Sequence, residues 1–168
     1  MSRRGTTSRI CAAVLAAALS TGGGFGPGAA QAQQCALPQG ASTMVNAMAQ
    51  QLNRYRAGQG LPPVRYSQTL SRAAQAHACD MQQSGSFAHR GSDGGNHRAR
   101  IERAGYCAGV SAENLAWGYR DSSVVIAGWD GSPGHRQVMR LQRADEFGIG
   151  IAQGAQGPFW VLEMAQSC

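Results

Sequence analysis

Residues 87–136 contain three segments that combine histidine or glutamate with aromatic and turn-forming residues: FAH at 87–89, AENLAWG at 112–118 and WDGSPGHR at 129–136. Glu113 follows His89 by 24 positions and precedes His135 by 22. A single helix or hairpin brings together only residues that are close in sequence, so only a tertiary fold can gather these three side chains. We expect His89, Glu113 and His135, with the neighbouring Asn114, to line one solvent-accessible cleft that binds a ligand.

The first 32 residues have the composition of a secretory signal peptide. Three arginines fall within the first nine positions, the apolar run at 10–19 is too short to span a bilayer, and small residues end in AQA at 30–32. We predict a signal peptide at 1–32, a short extension at 33–42 and one domain at 43–168. The mature chain is expected to be secreted, to the periplasm or the extracellular space.

The charge of the predicted mature chain argues against nucleic-acid binding. All 15 basic residues are arginines, and removing the three in the signal peptide leaves twelve against nine acidic residues, a net charge of +3. These arginines are scattered, with no interleaved aromatic residues that would stack on bases. We expect no nucleic-acid partner, no integral membrane association and a monomeric protein.

Four cysteines remain once Cys11 is removed with the signal peptide. An even number of cysteines in an exported protein favours disulfides over a metal cluster. Three pairings are possible. We favour Cys79–Cys107, which would join a helix to the loop before Glu113, together with Cys35–Cys168, which would tie the two ends of the domain.

The spacing of apolar residues predicts helices followed by a terminal hairpin. The predicted helices are 43–57, 68–84, 98–104 and about 121–129, and the predicted strands are 114–117, 147–151 and 159–164. Glycines alternate with bulky residues in FGIGI at 147–151, which leaves one strand face bare, so another element is expected to pack closely there. The order of elements indicates an α+β domain in which helices cover an antiparallel sheet.

Two other histidines are left outside the predicted site. His77 falls on the apolar face of the second helix, where a histidine is usually a hydrogen-bonded core residue. His97 precedes the third helix, and we interpret it as a solvated or capping residue.

Taken in order, these segments resemble a bacterial member of the CAP superfamily, which includes cysteine-rich secretory proteins, antigen 5 and pathogenesis-related proteins of class 1. The similarity covers roughly residues 43–165. It rests on LNRYRAGQGLPP at 52–63, the 70–81 helix, RI at 100–101 with AGY at 104–106, AENLA at 112–116, SPGHR at 132–136 and the two final strands.

The resemblance implies a three-layer α–β–α sandwich with a cleft that collects two histidines and two acids. His89 and His135 match the family histidines, and Glu113 matches the acid of the Gly-Glu-Asn-Leu motif, although Ala112 stands where the family usually has glycine. The second acid is not clearly present, because Asp130 is nearby but out of register.

Two imidazoles and one carboxylate suit a divalent metal such as zinc, with a fourth position left for water. His89, Glu113 and His135 are therefore the predicted metal ligands. The alternative is a metal-free polar cluster in which Glu113 orients one histidine and Asn114 satisfies nearby backbone groups.

Three classes of function are compatible with such a site. We favour a secreted module that binds a small molecule, a lipid or a protein partner, as the resemblance implies. A metal-assisted hydrolase or peptidase is the alternative, although the only suggestive nucleophile is Ser132 near His135, within an ordinary turn sequence. A structural cell-surface protein is the third possibility.

Overall fold

The computed structural model describes residues 35–168, so Cys11 and the signal peptide predicted at 1–32 lie outside the described residues. The described chain belongs to one compact unit, Gln33–Cys168. Its elements are, in order, α1 (Ala41–Gly58), β1 (Arg65–Tyr66), α2 (Gln68–Ser84), α3 (His97–Arg103), β2 (Ala108–Trp117), α4 (Ser122–Gly131), α5 (Pro133–Met139), β3 (Glu146–Gly154) and β4 (Gly157–Ser167).

The four strands form one mixed sheet in the order β1-β3-β4-β2. β4 pairs antiparallel with β3 on one side and with β2 on the other. β1 is only two residues long and pairs parallel with the start of β3. The predicted α+β fold is thus confirmed, with one short parallel strand added to the expected antiparallel sheet.

Helices cover both faces of this sheet, which confirms the three-layer α–β–α arrangement. On one face the bulky side chains of β3 and β4, including Phe147, Ile149 and Trp160, pack in one core with Leu52 of α1 and Trp129 of α4. On the other face α2 packs against β3 and β4. Apolar residues that alternate along each strand thus supply both interfaces.

The bare face predicted for FGIGI receives α2. A Cβ atom at Gly148 would overlap the backbone of Leu70 and Ser71, and one at Gly150 would overlap the backbone of Ala74. The two glycines therefore allow the helix to approach the strand more closely than any side chain would permit.

The bounds of α2 agree with the sequence prediction, because both ends of this helix carry local signals. Ser67 caps the start, where its hydroxyl accepts a hydrogen bond from the Leu70 amide. Gly85 ends the helix in the left-handed conformation, with φ of 68°.

Sequence analysis did not predict α5, which begins directly after α4 ends. Ser132 adopts an extended conformation, with φ of −108°, and separates α4 from α5. Pro133 then occupies the first turn of α5, where its missing N–H costs nothing and its fixed φ suits a helix. The strand predicted at 114–117 is also longer, since β2 begins at Ala108.

The predicted disulfide pairing was wrong. Cys35 pairs with Cys79, and Cys107 pairs with Cys168. β2 and β4 are neighbours with Ala108 opposite Ser167, so the cysteines just outside these positions stand side by side at the ends of the two strands.

The Cys35–Cys79 bond fastens the segment that precedes α1 to α2. The Ala36 carbonyl accepts a hydrogen bond of 2.7 Å from the amide of Gln153 at the open edge of β3. Since that edge runs beside α2, the start of the described chain lies within reach of Cys79.

No helix among residues 35–168 is both long enough and apolar enough to cross a membrane.

Candidate functional site

Glu113 lies at the centre of a polar cluster between the sheet and the α2–α3 layer. Its side chain is only 1% exposed. One carboxylate oxygen accepts a hydrogen bond of 2.8 Å from Nδ1 of His89, and the other is paired with the guanidinium of Arg100. Nε2 of His77 lies 4.0 Å from the second oxygen. Both oxygens of this buried carboxylate therefore face donors.

Electrostatics favour the ionised form of Glu113. Burial raises the pKa of this carboxyl group, but the hydrogen bond from His89 and the charges of Arg100 and His77 outweigh burial and hold the pKa below its usual range. The hydrogen bond with Glu113 in turn raises the pKa of His89. His89 is 60% exposed, so the pair presents an oriented imidazole to solvent, supported by a buried carboxylate.

A second glutamate adjoins Glu113 inside the sheet. Glu163 on β4 is directly opposite Glu113 on β2, and it is fully buried. Burial, the negative charge of Glu113 and a side-chain hydrogen bond with Glu113 raise the pKa of Glu163 well above the usual value. The pKa values of the two side chains are thus shifted in opposite directions, and we predict that Glu113 is ionised and Glu163 protonated in the folded protein.

His77 and Arg100 belong to this cluster although sequence analysis left them out. His77 is fully buried and its Nε2 donates a hydrogen bond of 2.9 Å to the carbonyl of Ala88. This agrees with the predicted role as a hydrogen-bonded core residue, and burial lowers the pKa of His77. Arg100 also donates to the carbonyl of His89, which fastens the loop beside the site.

The interpretation of His97 as a cap was wrong. Asn96 caps α3, since its side chain accepts a hydrogen bond of 2.9 Å from the Ala99 amide. His97 is the first residue of that helix, and its ring contacts the Ser111 carbonyl at 3.4 Å. Burial lowers the pKa of His97.

Asn114 and His135 meet at another point, away from the carboxylate. The Asn114 amide donates a hydrogen bond of 2.8 Å to the backbone carbonyl of His135, which is the structural role that the metal-free alternative gave it. Within residues 35–168, no hydrogen bond or ion pair joins the His135 imidazole to Glu113 or His89. The structure therefore brings His89 and Glu113 together, and His135 contributes to the groove described below.

Asp130, the nearby acid, is engaged elsewhere. It accepts a hydrogen bond of 2.7 Å from the Tyr55 hydroxyl and pairs with Arg136.

The arrangement does not favour Glu113 as a zinc ligand, so zinc binding by His89, Glu113 and His135 stays a prediction. Nδ1 of His89 and one oxygen of Glu113 are hydrogen-bonded to each other. The other oxygen of Glu113 is paired with the guanidinium of Arg100, whose positive charge would repel a metal cation. No group of three or more His, Cys, Asp or Glu side chains in the described part of the chain is arranged to hold a metal ion.

An aromatic groove lies at the β2 edge of the sheet. It has a volume of about 280 Å³ and is lined by Phe87, Leu115, Ala116, Trp117, Tyr119, Val125, Gly128, Trp129 and His135. Three of these residues are large and exposed: Phe87 at 47%, Trp117 at 39% and Tyr119 at 52%. Trp117 stacks in parallel on Phe159, with ring centroids 5.5 Å apart, and this support holds the indole in place.

Sequence analysis missed this groove. Phe87 and Trp117 are close in sequence to His89 and Glu113. Their ring centroids are 6.2 Å apart only because the tertiary fold packs the 85–96 loop against β2.

Comparisons with known proteins point to one family. The model of the cysteine-rich secretory protein family, CAP, matches residues 49–164. The chain is 28% identical over 111 residues to the uncharacterized protein YkwD of Bacillus subtilis (strain 168), a match that covers 66% of this chain and 42% of that protein.

Two solved structures share the fold. An extracellular protein containing an SCP domain, from Bacillus anthracis, has a TM-score of 0.69 and 21% identity, over 75% of this chain and 41% of its own. An outer surface protein from Borrelia burgdorferi has a TM-score of 0.73 and 17% identity, over 80% of this chain and 100% of its own. The chain spans about two fifths of the length of YkwD and of the Bacillus anthracis protein.

Proposed function

Because the chain belongs to the cysteine-rich secretory protein (CAP) family, we propose that it is an exported protein that binds a small apolar ligand in the aromatic groove. Export is supported by the predicted signal peptide and by the two disulfides, which persist in oxidising compartments. It is also supported by relatives that are described as extracellular or outer-surface proteins.

The observation that carries this proposal is the cluster of exposed aromatic side chains. Soluble monomers rarely expose several large apolar residues side by side without a binding role. Here Phe87, Trp117 and Tyr119 line one hollow whose buried wall is formed by Leu115 and Trp129. Apolar hollows with a few polar groups at the margin are typical ligand sites.

The same two chain segments carry the His89–Glu113 pair and the groove residues Phe87 and Trp117, and we propose that the pair offers a polar group to a ligand there. Phe87 is two residues before His89, and Trp117 is four residues after Glu113 on β2. Because Glu113 accepts the Nδ1 hydrogen bond, the exposed imidazole is held in one orientation. A ligand with an apolar body and one polar end would use both features.

Titration with a fluorescent lipid tests this proposal. Saturable binding by the wild type should weaken at least about tenfold in Trp117→Ala, which removes a large stacked surface. Tyr66→Ala is the matched control, because Tyr66 is also an exposed aromatic residue but lies on β1, at the opposite edge of the sheet. Equal affinity in all three proteins, or no binding by the wild type, would reject the proposal.

A hydrolase is the second candidate, and the His89–Glu113 hydrogen bond is the observation that favours it. A carboxylate that accepts from Nδ1 leaves Nε2 of a neutral imidazole available as a general base. Turnover on a panel of peptides and esters that disappears in His89→Ala and persists in Tyr66→Ala would support hydrolysis. Absence of turnover with every compound in the panel would exclude the hydrolase proposal.

Zinc binding by His89, Glu113 and His135 stays a prediction that the donor arrangement does not favour. Calorimetric titration of the wild type, His89→Ala and His135→Ala with zinc tests it directly. Equal heats in the three proteins would exclude these residues as ligands.

A further inference from the structure

We propose that the aromatic groove accepts a quaternary ammonium group, such as the trimethylammonium end of choline or betaine. This inference rests on the proposed function, because it names the chemical class of ligand for the same groove.

The walls of the groove present the surface that attracts such a cation. Four of the lining residues are aromatic: Phe87, Trp117, Tyr119 and Trp129. The rings of Phe87 and Trp117 are neighbours, with centroids 6.2 Å apart and planes tilted by 35°. The quadrupole of an aromatic ring makes its face electrostatically negative. Several aromatic rings around one hollow can therefore bind a methylated ammonium group.

The groove lining lacks the side chain that this protein would use to bind an anion. None of the described lining residues is an arginine, and the chain has no lysine. An anionic ligand would lose its hydration water on binding, and the lining has no guanidinium that could form hydrogen bonds in place of that water.

Hydrogen bonding distinguishes a quaternary ammonium from a primary one. The Leu115 carbonyl accepts the Trp129 indole N–H at 2.8 Å, and the Tyr119 carbonyl accepts the Trp160 indole N–H at 2.7 Å. The protein thus uses these two backbone acceptors beside the groove for its own donors. A lysine-like ammonium has three N–H donors to satisfy, whereas a trimethylammonium group has none.

The volume of the groove agrees with a small head group. At about 280 Å³ it lies just below the range of pockets that enclose drug-sized molecules. A compact methylated group fits this hollow, and any longer substituent would extend toward solvent.

Binding of choline is best compared with that of 3,3-dimethylbutan-1-ol, which has the same shape but a neutral carbon in place of nitrogen. Isothermal titration of the wild type should show choline binding roughly 2- to 30-fold more tightly than the alcohol, the ratio expected from cation–π attraction. Sodium chloride at equal ionic strength serves as the blank.

The outcomes separate this inference from the proposed function. Binding of the alcohol as tightly as choline, or more tightly, would overturn the quaternary ammonium proposal and leave an apolar groove. Absence of binding by both compounds, together with failure of the fluorescent lipid to bind, would overturn both proposals.

A glycine substitution tests the location of the site without removing any packing. Gly128 lines the groove on α4, and a Cβ atom there would meet no atom within 4 Å. Gly128→Leu should therefore fold normally, fill the hollow and weaken choline binding at least about tenfold. Gly58→Leu is the matched control, since Gly58 is a helical glycine with equally open surroundings, on α1 and outside the groove lining. Unchanged choline affinity in a folded Gly128→Leu protein would refute the placement.

Discussion

Replacing each of the two paired glutamates by glutamine should have opposite effects on stability at pH 7. Glu113 and Glu163 are directly opposite each other on β2 and β4, and both are buried. The substitution is nearly isosteric, so differences in packing are small. The response therefore reports whether each carboxyl group is ionised in the folded protein.

Glu113→Gln should destabilise the protein by about 3–5 kcal/mol, the cost of removing one partner from a buried ion pair. Arg100, which is 6% exposed at its side chain, would lose the carboxylate that it contacts. His89 would lose a charge-assisted hydrogen bond as well. Relief of the repulsion on Glu163 opposes these losses, so we expect a value near about 3 kcal/mol.

Glu163→Gln should stabilise the protein at neutral pH or leave its stability unchanged. The pKa of Glu163 is raised in the folded state, so its contribution is fully present below the unfolded-state pKa and is lost as pH rises toward the folded pKa. Each pH unit in that window costs the wild type about 1.4 kcal/mol. Glutamine has no proton to retain, so the gain of the variant should grow with pH.

Urea unfolding of the wild type and both variants between pH 5 and pH 8 measures these effects, with equal m values as the check that the unfolding transition is comparable. Losses of similar size in both variants would refute the assignment of one ionised and one protonated carboxyl group. A gain in Glu163→Gln that shrinks as pH rises would also contradict it.

Three further predictions concern the cross-link, the strand glycine and the exposed histidine. Replacing Cys107 and Cys168 together by serine should lower the free energy of unfolding by about 4 kcal/mol, because a loop spanning 61 positions is released; a change in the denaturant midpoint measures it, and a midpoint equal to that of the wild type would contradict it. Gly150→Ala should cost roughly 1–3 kcal/mol by overpacking against α2, visible as a lower melting temperature. The pKa of His89, followed by NMR, should fall in Glu113→Gln because the hydrogen bond that raises it is removed; an unaltered titration would show that the bond is absent in solution.

Local signals account for the parts of the fold that sequence analysis predicted well. Ser67 and Gly85 mark both ends of α2 with cap chemistry that acts within a few residues. The glycines of FGIGI indicated a close approach because a missing side chain is visible in the sequence. α5 was missed because Pro133 suggests a turn as readily as the first residue of a helix.

The site was predicted only in part, because several of its residues come from segments that are distant in sequence. His89 and Glu113 came from recognisable motifs and do meet at 2.8 Å. Arg100, His77 and Glu163 join them only because α3, α2 and β4 surround one point of β2.

From the amino-acid sequence alone follow the α+β class, the family resemblance and the identity of the exposed histidine with its supporting carboxylate. These features depend on residue type and short-range spacing, which a linear chain displays. The disulfide partners, the raised pKa of Glu163 and the aromatic groove follow only from the tertiary structure. Each of them depends on which strand lies beside β2 and which loop packs against it, and contacts between residues 42 to 72 positions apart determine this arrangement. Strand register determines whether two carboxyl groups share one low-dielectric space, and no property of either residue alone contains that information.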